Sequence, residues 1–175
     1  HWSFRRSDWF EHVGNEVRHT AAHAGLLDMS AFAKCRVSGP GAEAFMDRLV
    51  ANKLPKGIGR VSLSHALTER GGVHSEYTIQ REAADSFYIV SAGAGQRLDH
   101  DWIKKHMPDD GSVRFDDLTN SIGVLVLAGP HARDILQKVT RSDLANGAFP
   151  WLSSKMIDVN LAPTMAFRMN YVGEL

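Results

Sequence analysis

The sequence predicts an α+β fold, in which helices pack on antiparallel sheets. Three observations support this class: a run of strands and turns in the middle of the chain, apolar residues at helical spacing on both sides of it, and a strand–Gly-Pro–helix unit that occurs twice. The two units begin at Val37 and Leu127, ninety residues apart. They predict two related α+β halves. Because strand–Gly-Pro–helix is also a common local arrangement, duplication and chance similarity both stay open.

The N-terminal segment predicts a helix that opens with a capping box, because Asp8 is followed three residues later by Glu11. Gly25 is its predicted end, since glycine commonly terminates helices. The apolar side of this helix is formed by residues at helical spacing: Phe10, Val13, Val17 and Ala21.

Residues 33–38 alternate between apolar and polar, which predicts a half-buried strand with Lys34 and Arg36 on its polar side. Cys35, on the apolar side, is expected to be an inert core residue. Pro40 then opens the second helix, where proline loses no hydrogen bond. The apolar stripe of that helix is Phe45, Met46, Leu49 and Val50.

The segment 61–91 carries the strongest strand pattern in the chain. Apolar and β-branched runs occur at 61–67, 73–79 and 87–91, and the first two are separated by a turn that contains Gly71 and Gly72. These runs predict an antiparallel meander. In its second strand, alternation places one set on one face (His74, Glu76 and Thr78) and another on the opposite face (Val73, Ser75, Tyr77 and Ile79).

The remaining part of the chain predicts further helices and strands. In the first of these helices, Leu98, Trp102 and Ile103 are expected to face inward. The predicted elements, in chain order, are a helix at 96–107, strands at 113–115 and 123–127, a helix at 132–139 and a strand at 165–171.

Composition excludes several classes of protein. The chain has 175 residues with 20 Lys+Arg against 20 Asp+Glu, so it lacks the basic excess that nucleic-acid binding requires. No apolar run approaches the roughly 18 residues that span a membrane. The single cysteine predicts a reducing compartment, either a bacterial cytoplasm or the mitochondrial matrix. The start without Met and the end at Leu175, within a predicted strand and turn, predict a piece of a longer protein.

Two pairs of histidines and one glutamate are candidates for chemistry. His19 and His23 share a helical face, but no acidic or cysteine partner lies at ligand spacing, so no metal site is predicted. His65 and His74 are expected to face each other across the hairpin. Glu76 lies in mid-strand, where glutamate is uncommon. Either it belongs to an exposed polar face, or it is a carboxylate aimed into a pocket, where desolvation would raise its pKa toward that of a general base.

Several ordered motifs resemble one family of proteins. The resemblance runs from about Asp8 to the end of the chain and is carried by Leu27-Asp28-Met29-Ser30, Val37-x-Gly39-Pro40, Gly71-Gly72-Val73, Gly129-Pro130-x-Ala132, Phe149-Pro150 and Arg168-x-x-Tyr171-x-Gly173-Glu174. The chain is similar to the tetrahydrofolate-binding module that is shared by the glycine-cleavage T-protein (aminomethyltransferase) and the dimethylglycine and sarcosine dehydrogenases. Details such as Asn52-Lys53-Leu54-Pro55-Lys56 look most like the dimethylglycine dehydrogenase branch.

The resemblance implies a fold and a set of site residues. The fold would be two ferredoxin-like halves, about 26–110 and 111–175, of one folate-binding domain. Glu76 stands where the T-protein has a catalytic aspartate. The residues that would bind folate are Phe32, Leu63, Tyr88, Val90 and Glu174, the last of these as an acceptor for the pterin N–H groups.

The resemblance also implies a reaction. A flavin oxidises an N-methylated amine to an iminium ion, and tetrahydrofolate captures the one-carbon unit as 5,10-methylenetetrahydrofolate. FAD would be bound in a flavin domain of the parent chain, upstream of this sequence. Two alternatives stay open: an aminomethyltransferase of the glycine cleavage system, and a non-catalytic binding module similar to the regulatory subunit of pyruvate dehydrogenase phosphatase.

Overall fold

The computed structural model describes residues 4–170. Its helices and strands alternate along the chain in a mixed order, which confirms the predicted α+β class. In chain order they are α1 (Phe10–Ala22), β1 (Gly25–Asp28), β2 (Ala33–Ser38), α2 (Ala42–Leu49), β3 (Val61–Leu67), β4 (Val73–Ala83), β5 (Ser86–Ser91), a 3-10 turn (Gly93–Gly95), α3 (Gln96–His106), β6 (Arg114–Asp117), β7 (Leu125–Ala128), α4 (Ala132–Gln137), β8 (Ser153–Val159) and β9 (Ala162–Arg168).

A five-stranded antiparallel sheet forms the centre, in the order β3-β4-β5-β2-β6. Four of its strands, β6-β2-β5-β4, have the ferredoxin-like order, and β3 is added at the edge. Helices α2 and α3 cover one face, because their apolar residues pack with those of the strands. The core on that face includes Phe45, Met46, Ile103, Val37, Tyr77, Ile79, Phe87 and Ile89.

Two smaller antiparallel sheets complete the structure. Strand β1 pairs with β7, and β8 pairs with β9 as a hairpin. The division into halves at residue 110 stays a prediction. Strand pairing crosses that position twice, because β6 joins β2 and β7 joins β1.

The strand–Gly-Pro–helix unit is formed twice with the same backbone geometry. Gly39 follows β2 with φ of 115°, and Gly129 follows β7 with φ of 109°. A helix begins three residues after each glycine, at Ala42 and at Ala132. An alanine Cβ at Gly39 would lie 2.5 Å from the carbonyl oxygen of Ser112. The glycines are therefore required by both backbone conformation and close approach.

Several local predictions are wrong. Trp9, not Asp8, holds the N-cap position of α1, and the side of α1 that carries Val13 and Val17 is exposed. Leu98 is 59% exposed rather than inward, because the buried face of α3 is formed by its neighbour Asp99 with His100 and Ile103. Strands β1 and β8 form where none was predicted.

The strand β2 is more buried than its alternation predicts. The side chain of Lys34 is fully buried and donates a hydrogen bond from Nζ to the carbonyl oxygen of Ser30, at 2.7 Å. Burial lowers the pKa of Lys34, and the charges of Asp117 and Asp28 oppose that effect. A charged amine is tolerated here because it has an acceptor and two nearby carboxylates.

Among residues 4–170, no helix is both long and apolar enough to cross a membrane.

Candidate functional site

The face of the central sheet opposite α2 and α3 carries most of the residues that the resemblance implied. Alternation from the register of β3, β4 and β5 places Leu63, Glu76, Tyr88 and Val90 on this one face. We call it the open face, and its remaining members on these strands are His65, Thr78, Gln80 and Val61. Four of the six predicted site residues are thus brought together by strand pairing.

These residues form three rows across the strands. Leu63, Thr78 and Val90 make the middle row, because Leu63 pairs with Thr78 and Thr78 pairs with Val90. Glu76 and His65 lie in the row on one side. The row on the other side is Val61, Gln80 and Tyr88. Because a strand rises about 3.3 Å per residue, Glu76 and Gln80 are about 13 Å apart along β4.

Glu76 is an exposed carboxylate on this face, in agreement with the simpler of its two interpretations. Its side chain is 59% exposed, and its Oε2 lies 3.2 Å from Nε2 of His65. The neighbouring residues Tyr77 and Ser75 are buried on the helix side, so the predicted alternation is confirmed from Ser75 to Tyr77. It is wrong for His74, whose ring stacks on Trp102 of α3 and does not share the face of Glu76. Within the described residues, Glu76 lies on a surface and not in an enclosed pocket.

The hairpin β8–β9 stands over the far end of the open face. Nε2 of Gln80 donates to Oγ of Ser154 at 2.8 Å and lies 3.5 Å from the sulfur of Met165. The ring of Phe167 lies 6.0 Å from that of Tyr88, centroid to centroid. Oε1 of Gln80 is buried and has no hydrogen-bond partner among residues 4–170. The middle row therefore lies between a carboxylate at one end and a partly aromatic wall at the other.

Two polar groups next to the wall are fixed in their protonation states. Burial, together with the charge of Glu82, raises the pKa of Tyr88 to about 12, so its hydroxyl remains a donor at neutral pH. Arg36 donates two hydrogen bonds to the Glu82 carboxylate, one of them from Nη2 to Oε1 at 2.8 Å. The hydrogen bonds to Glu82 raise the pKa of Arg36, so the guanidinium stays charged.

The other predicted residues lie elsewhere or outside the described part. Phe32 is half-buried in the turn immediately before β2, one residue beyond the pairing of Ala33 with Ser91. Glu174 lies outside residues 4–170. The prediction that His65 faces His74 is wrong: His65 pairs with Glu76. The ring of His74 instead stacks on Trp102, with 3.9 Å between centroids.

A buried polar cluster lies on the helix side, away from the open face. Ser75 Oγ hydrogen-bonds both Nδ1 of His74, at 2.7 Å, and Oδ1 of Asp99, at 2.5 Å. Each member has a partner, so the cluster joins β4 to α3. A cleft of about 540 Å³ also opens on the helix side, and it contains none of the six predicted site residues; it is lined by Pro40, Glu43, Ala44, Asp47, Lys53, Leu54, Lys56 and Arg81.

The residues that sequence reasoning missed are Gln80 and the hairpin residues Met165 and Phe167 as a wall of the site. The signal for Gln80 was present, since it continues the alternation of Glu76 and Thr78. The position of the hairpin depends on contacts between distant parts of the chain, such as the bridge between Arg60 and Ser153. In the part of the chain that the structure describes, no group of three or more His, Cys, Asp or Glu side chains could hold a metal ion.

Comparison with known proteins agrees with the resemblance. The chain is 37% identical over 174 residues to "Dimethylglycine dehydrogenase, mitochondrial" of Mus musculus, which is 99% of this chain and 20% of that protein. It is 29% identical over 166 residues to an aminomethyltransferase of Geobacillus thermodenitrificans, covering 94% of this chain and 45% of that one. The chain thus spans about one fifth of the length of its dehydrogenase relative.

A solved structure supports the fold. Glycine cleavage system aminomethyltransferase T from Bartonella henselae superposes with a TM-score of 0.72 at 24% identity, covering 91% of this chain and 42% of that chain. The sequence profile of the family described as "GCVT N-terminal domain" matches residues 1–175. This protein therefore belongs to the GCVT N-terminal domain family.

Proposed function

We propose that this chain is the tetrahydrofolate-binding part of a dimethylglycine or sarcosine dehydrogenase-like enzyme. In that enzyme it captures the one-carbon unit of an N-methylated amine as 5,10-methylenetetrahydrofolate. Its 37% identity to a dimethylglycine dehydrogenase over nearly its whole length supports this branch of the family. The compartment would be reducing, as in the mitochondrial matrix or a bacterial cytoplasm.

The observation that carries the proposal is the arrangement of the open face. Leu63 and Val90 flank Thr78 in one row, and Glu76 lies in the next row. A largely apolar strip beside a carboxylate suits a ring system whose edge carries N–H groups. Leu63, Val90 and Tyr88 would contact the ring, and Glu76 would lie beside its reacting nitrogen. Phe32 and Glu174 are proposed to contribute from outside this face.

The chemistry needs an acceptor for one proton. A nitrogen of tetrahydrofolate attacks the iminium carbon, and a carbon–nitrogen bond forms. The original amine then leaves with a proton, while the second folate nitrogen closes the ring on the same carbon. The overall reaction releases one further proton, which the Glu76 carboxylate accepts. The same negative charge stabilises the cationic intermediate that precedes ring closure.

The flavin chemistry belongs to another part of the proposed enzyme. FAD would oxidise the amine in a separate domain of the same polypeptide, since this chain spans 20% of its dehydrogenase relative. The partners of the present domain would then be folate, the iminium ion and that flavin domain. Holding the two reactants together against hydrolysis is the physical purpose of such an assembly.

The first prediction concerns Glu76→Gln. This substitution removes the charge but keeps the size, and we expect the rate of methylenetetrahydrofolate formation to fall by about 10²-fold or more. Because the side chain is 59% exposed, the melting temperature should not change. The measurement is single-turnover transfer by the polypeptide that contains both this domain and the flavin domain. Glu69→Gln, in the exposed turn of the same hairpin, is the matched control.

Tetrahydrofolate binding is measured separately, by titration with tryptophan fluorescence as the signal. If the flavin-containing polypeptide does not bind tetrahydrofolate, the proposed function is wrong. If it binds folate and the Glu76→Gln variant transfers at the wild-type rate, the domain is a binding module without a catalytic carboxylate. Transfer from an aminomethyl-lipoyl carrier protein instead of a free amine would assign the aminomethyltransferase activity.

A further inference from the structure

His65 is the direct cross-strand neighbour of Glu76. The register of β3 and β4 pairs His65 with Glu76, and both side chains lie on the open face. Their closest atoms, Nε2 of His65 and Oε2 of Glu76, are 3.2 Å apart, within hydrogen-bond distance. Directly opposed residues on antiparallel strands are the pairs whose side chains interact most strongly.

Glu76 needs such a neighbour because of its length and exposure. A glutamate has one more rotatable bond than an aspartate, so fixing its carboxylate in one place costs more side-chain entropy. Its side chain is 59% exposed, so packing does not fix it. Among residues 4–170, no side chain other than His65 makes a hydrogen bond or ion pair with the Glu76 carboxylate.

We propose that His65 is a positioning residue for Glu76, a role that rests on the proposed function. Nε2–H of His65 donates to Oε2 of Glu76 and holds the carboxylate beside the middle row of the open face. Oε1 is then left to accept a hydrogen bond or a proton from a bound ligand. The orientation of the carboxylate is thereby set by a strand and not by a loop, which favours catalytic precision.

The exposure of the pair separates this role from a structural one. The side chains of His65 and Glu76 are 44% and 59% exposed, and ion pairs in such positions contribute little to stability. Substitution of His65 should therefore leave the folded protein intact. A loss of transfer without a loss of stability is then attributable to the position of Glu76.

The experiment compares His65→Leu with His65→Gln in the flavin-containing polypeptide. Leucine removes the donor, whereas the glutamine amide places an N–H close to where Nε2 lies. We expect His65→Leu to lower kcat about tenfold, with the KM for tetrahydrofolate changed less than twofold, because misplacing a reacting group slows the chemical step. His65→Gln should retain more than half of the wild-type kcat. His12→Leu, on the exposed α1, is the control and should have no effect.

A spectroscopic measurement tests the hydrogen bond on the 175-residue chain itself. The ¹⁵N signals of the His65 ring report which nitrogen carries the proton, and Glu76→Leu, which removes the acceptor, should shift this tautomer balance away from Nε2–H. An unchanged balance would overturn the proposal. So would a wild-type kcat in His65→Leu, or an equal loss in His65→Gln and His65→Leu. A fully active Glu76→Gln variant would also overturn it, because Glu76 would then have no reacting carboxylate to position. The proposed function itself fails only if tetrahydrofolate does not bind, so the two failures are distinguishable.

Discussion

At the scale of single residues, the helix side of the central sheet holds a histidine in a neutral state. His100 is 6% exposed, and the edge of its ring packs on Phe115, with 5.0 Å between centroids. Burial lowers the pKa of His100, and the carboxylate of Asp117, 3.6 Å from its Nδ1, only partly opposes this effect. A proton therefore binds more weakly to His100 in the folded chain than in the unfolded chain.

This difference predicts how stability depends on pH. The unfolded chain binds more protons at this position. The contribution of neutral His100 to the free energy of unfolding is therefore fully present above the unfolded pKa of about 6.5, and it is lost as the pH falls below that value. We expect the melting temperature to decrease between pH 7 and pH 5, and His100→Gln to flatten that decrease. Urea unfolding at a series of pH values provides the free energies. Parallel curves for the two proteins would contradict the assignment to His100.

Cys35 illustrates the same effect of burial on a thiol. Its side chain is 2% exposed on the core face of β2, and burial raises the pKa of the thiol to about 12. We expect the native protein to react with an aromatic disulfide reagent at pH 8 only when it unfolds, because the thiolate is the reacting form. One equivalent should react at once in denaturant. Rapid labelling of the native protein would show that the thiol is accessible.

The sequence predicts the partners of some residues and not of others. Alternation along β4 is a local property, and it correctly separates Glu76 from Tyr77. Which residue opposes Glu76 depends on the register that the turn sets and on the irregularity between Ala66 and Leu67. The sequence indicates where the turn lies but not this register. This is why His65 was expected opposite His74.

At the scale of elements, the turn after β7 packs closely against the C-terminal end of α1. Gly129 has φ of 109°, and an alanine Cβ there would lie 2.5 Å from the carbonyl oxygen of Thr20 and 2.6 Å from that of His23. These carbonyls belong to the last part of α1 and the residue after it. The backbone of one element thus occupies the space that a side chain at Gly129 would need.

The prediction is that Gly129→Ala destabilises the fold by more than about 2 kcal/mol, since backbone strain alone costs roughly 1–2 kcal/mol. Gly71 is a matched control for strain without collision, because its φ is 78° and a Cβ would meet nothing within 4 Å. Gly147 has neither feature and should tolerate alanine. Chemical denaturation should show the largest loss in free energy of unfolding for Gly129→Ala, a smaller loss for Gly71→Ala and the smallest for Gly147→Ala. An equal loss in the first two variants would show that the close approach at Gly129 adds nothing to the backbone strain.

Most helices and the meander are predictable because their patterns are local. Strand β1 is not, since three of its four residues are exposed and only pairing with β7 makes it a strand. Strand β8 likewise depends on β9 and on the bridge from Arg60 to Ser153. Long-range pairing thus accounts for the strands that the sequence pattern does not predict. In α1 the apolar residues have the predicted helical spacing, but they are not buried against other described residues.

At the scale of the whole molecule, the candidate site lies on the open face of the central sheet. The resemblance implies four of its residues through motif order, and strand pairing brings those four to one face. The wall formed by β8 and β9 could not be predicted, because Gln80 and Ser154 are brought together only by the complete fold. The chain matches one fifth of the length of its dehydrogenase relative.

The pairing of β1 with β7 also sets an order of events during synthesis. Gly25 pairs with Ala128, so β1 leaves the ribosome long before its partner strand β7 has been translated. At a translation rate of about 5–20 residues per second, β7 is synthesised several seconds after β1. Strands β2 to β5 can pair in that interval, since β5 ends at Ser91. The β1–β7 sheet therefore closes after β2 to β5 can already have paired, and the β8–β9 hairpin is translated later still.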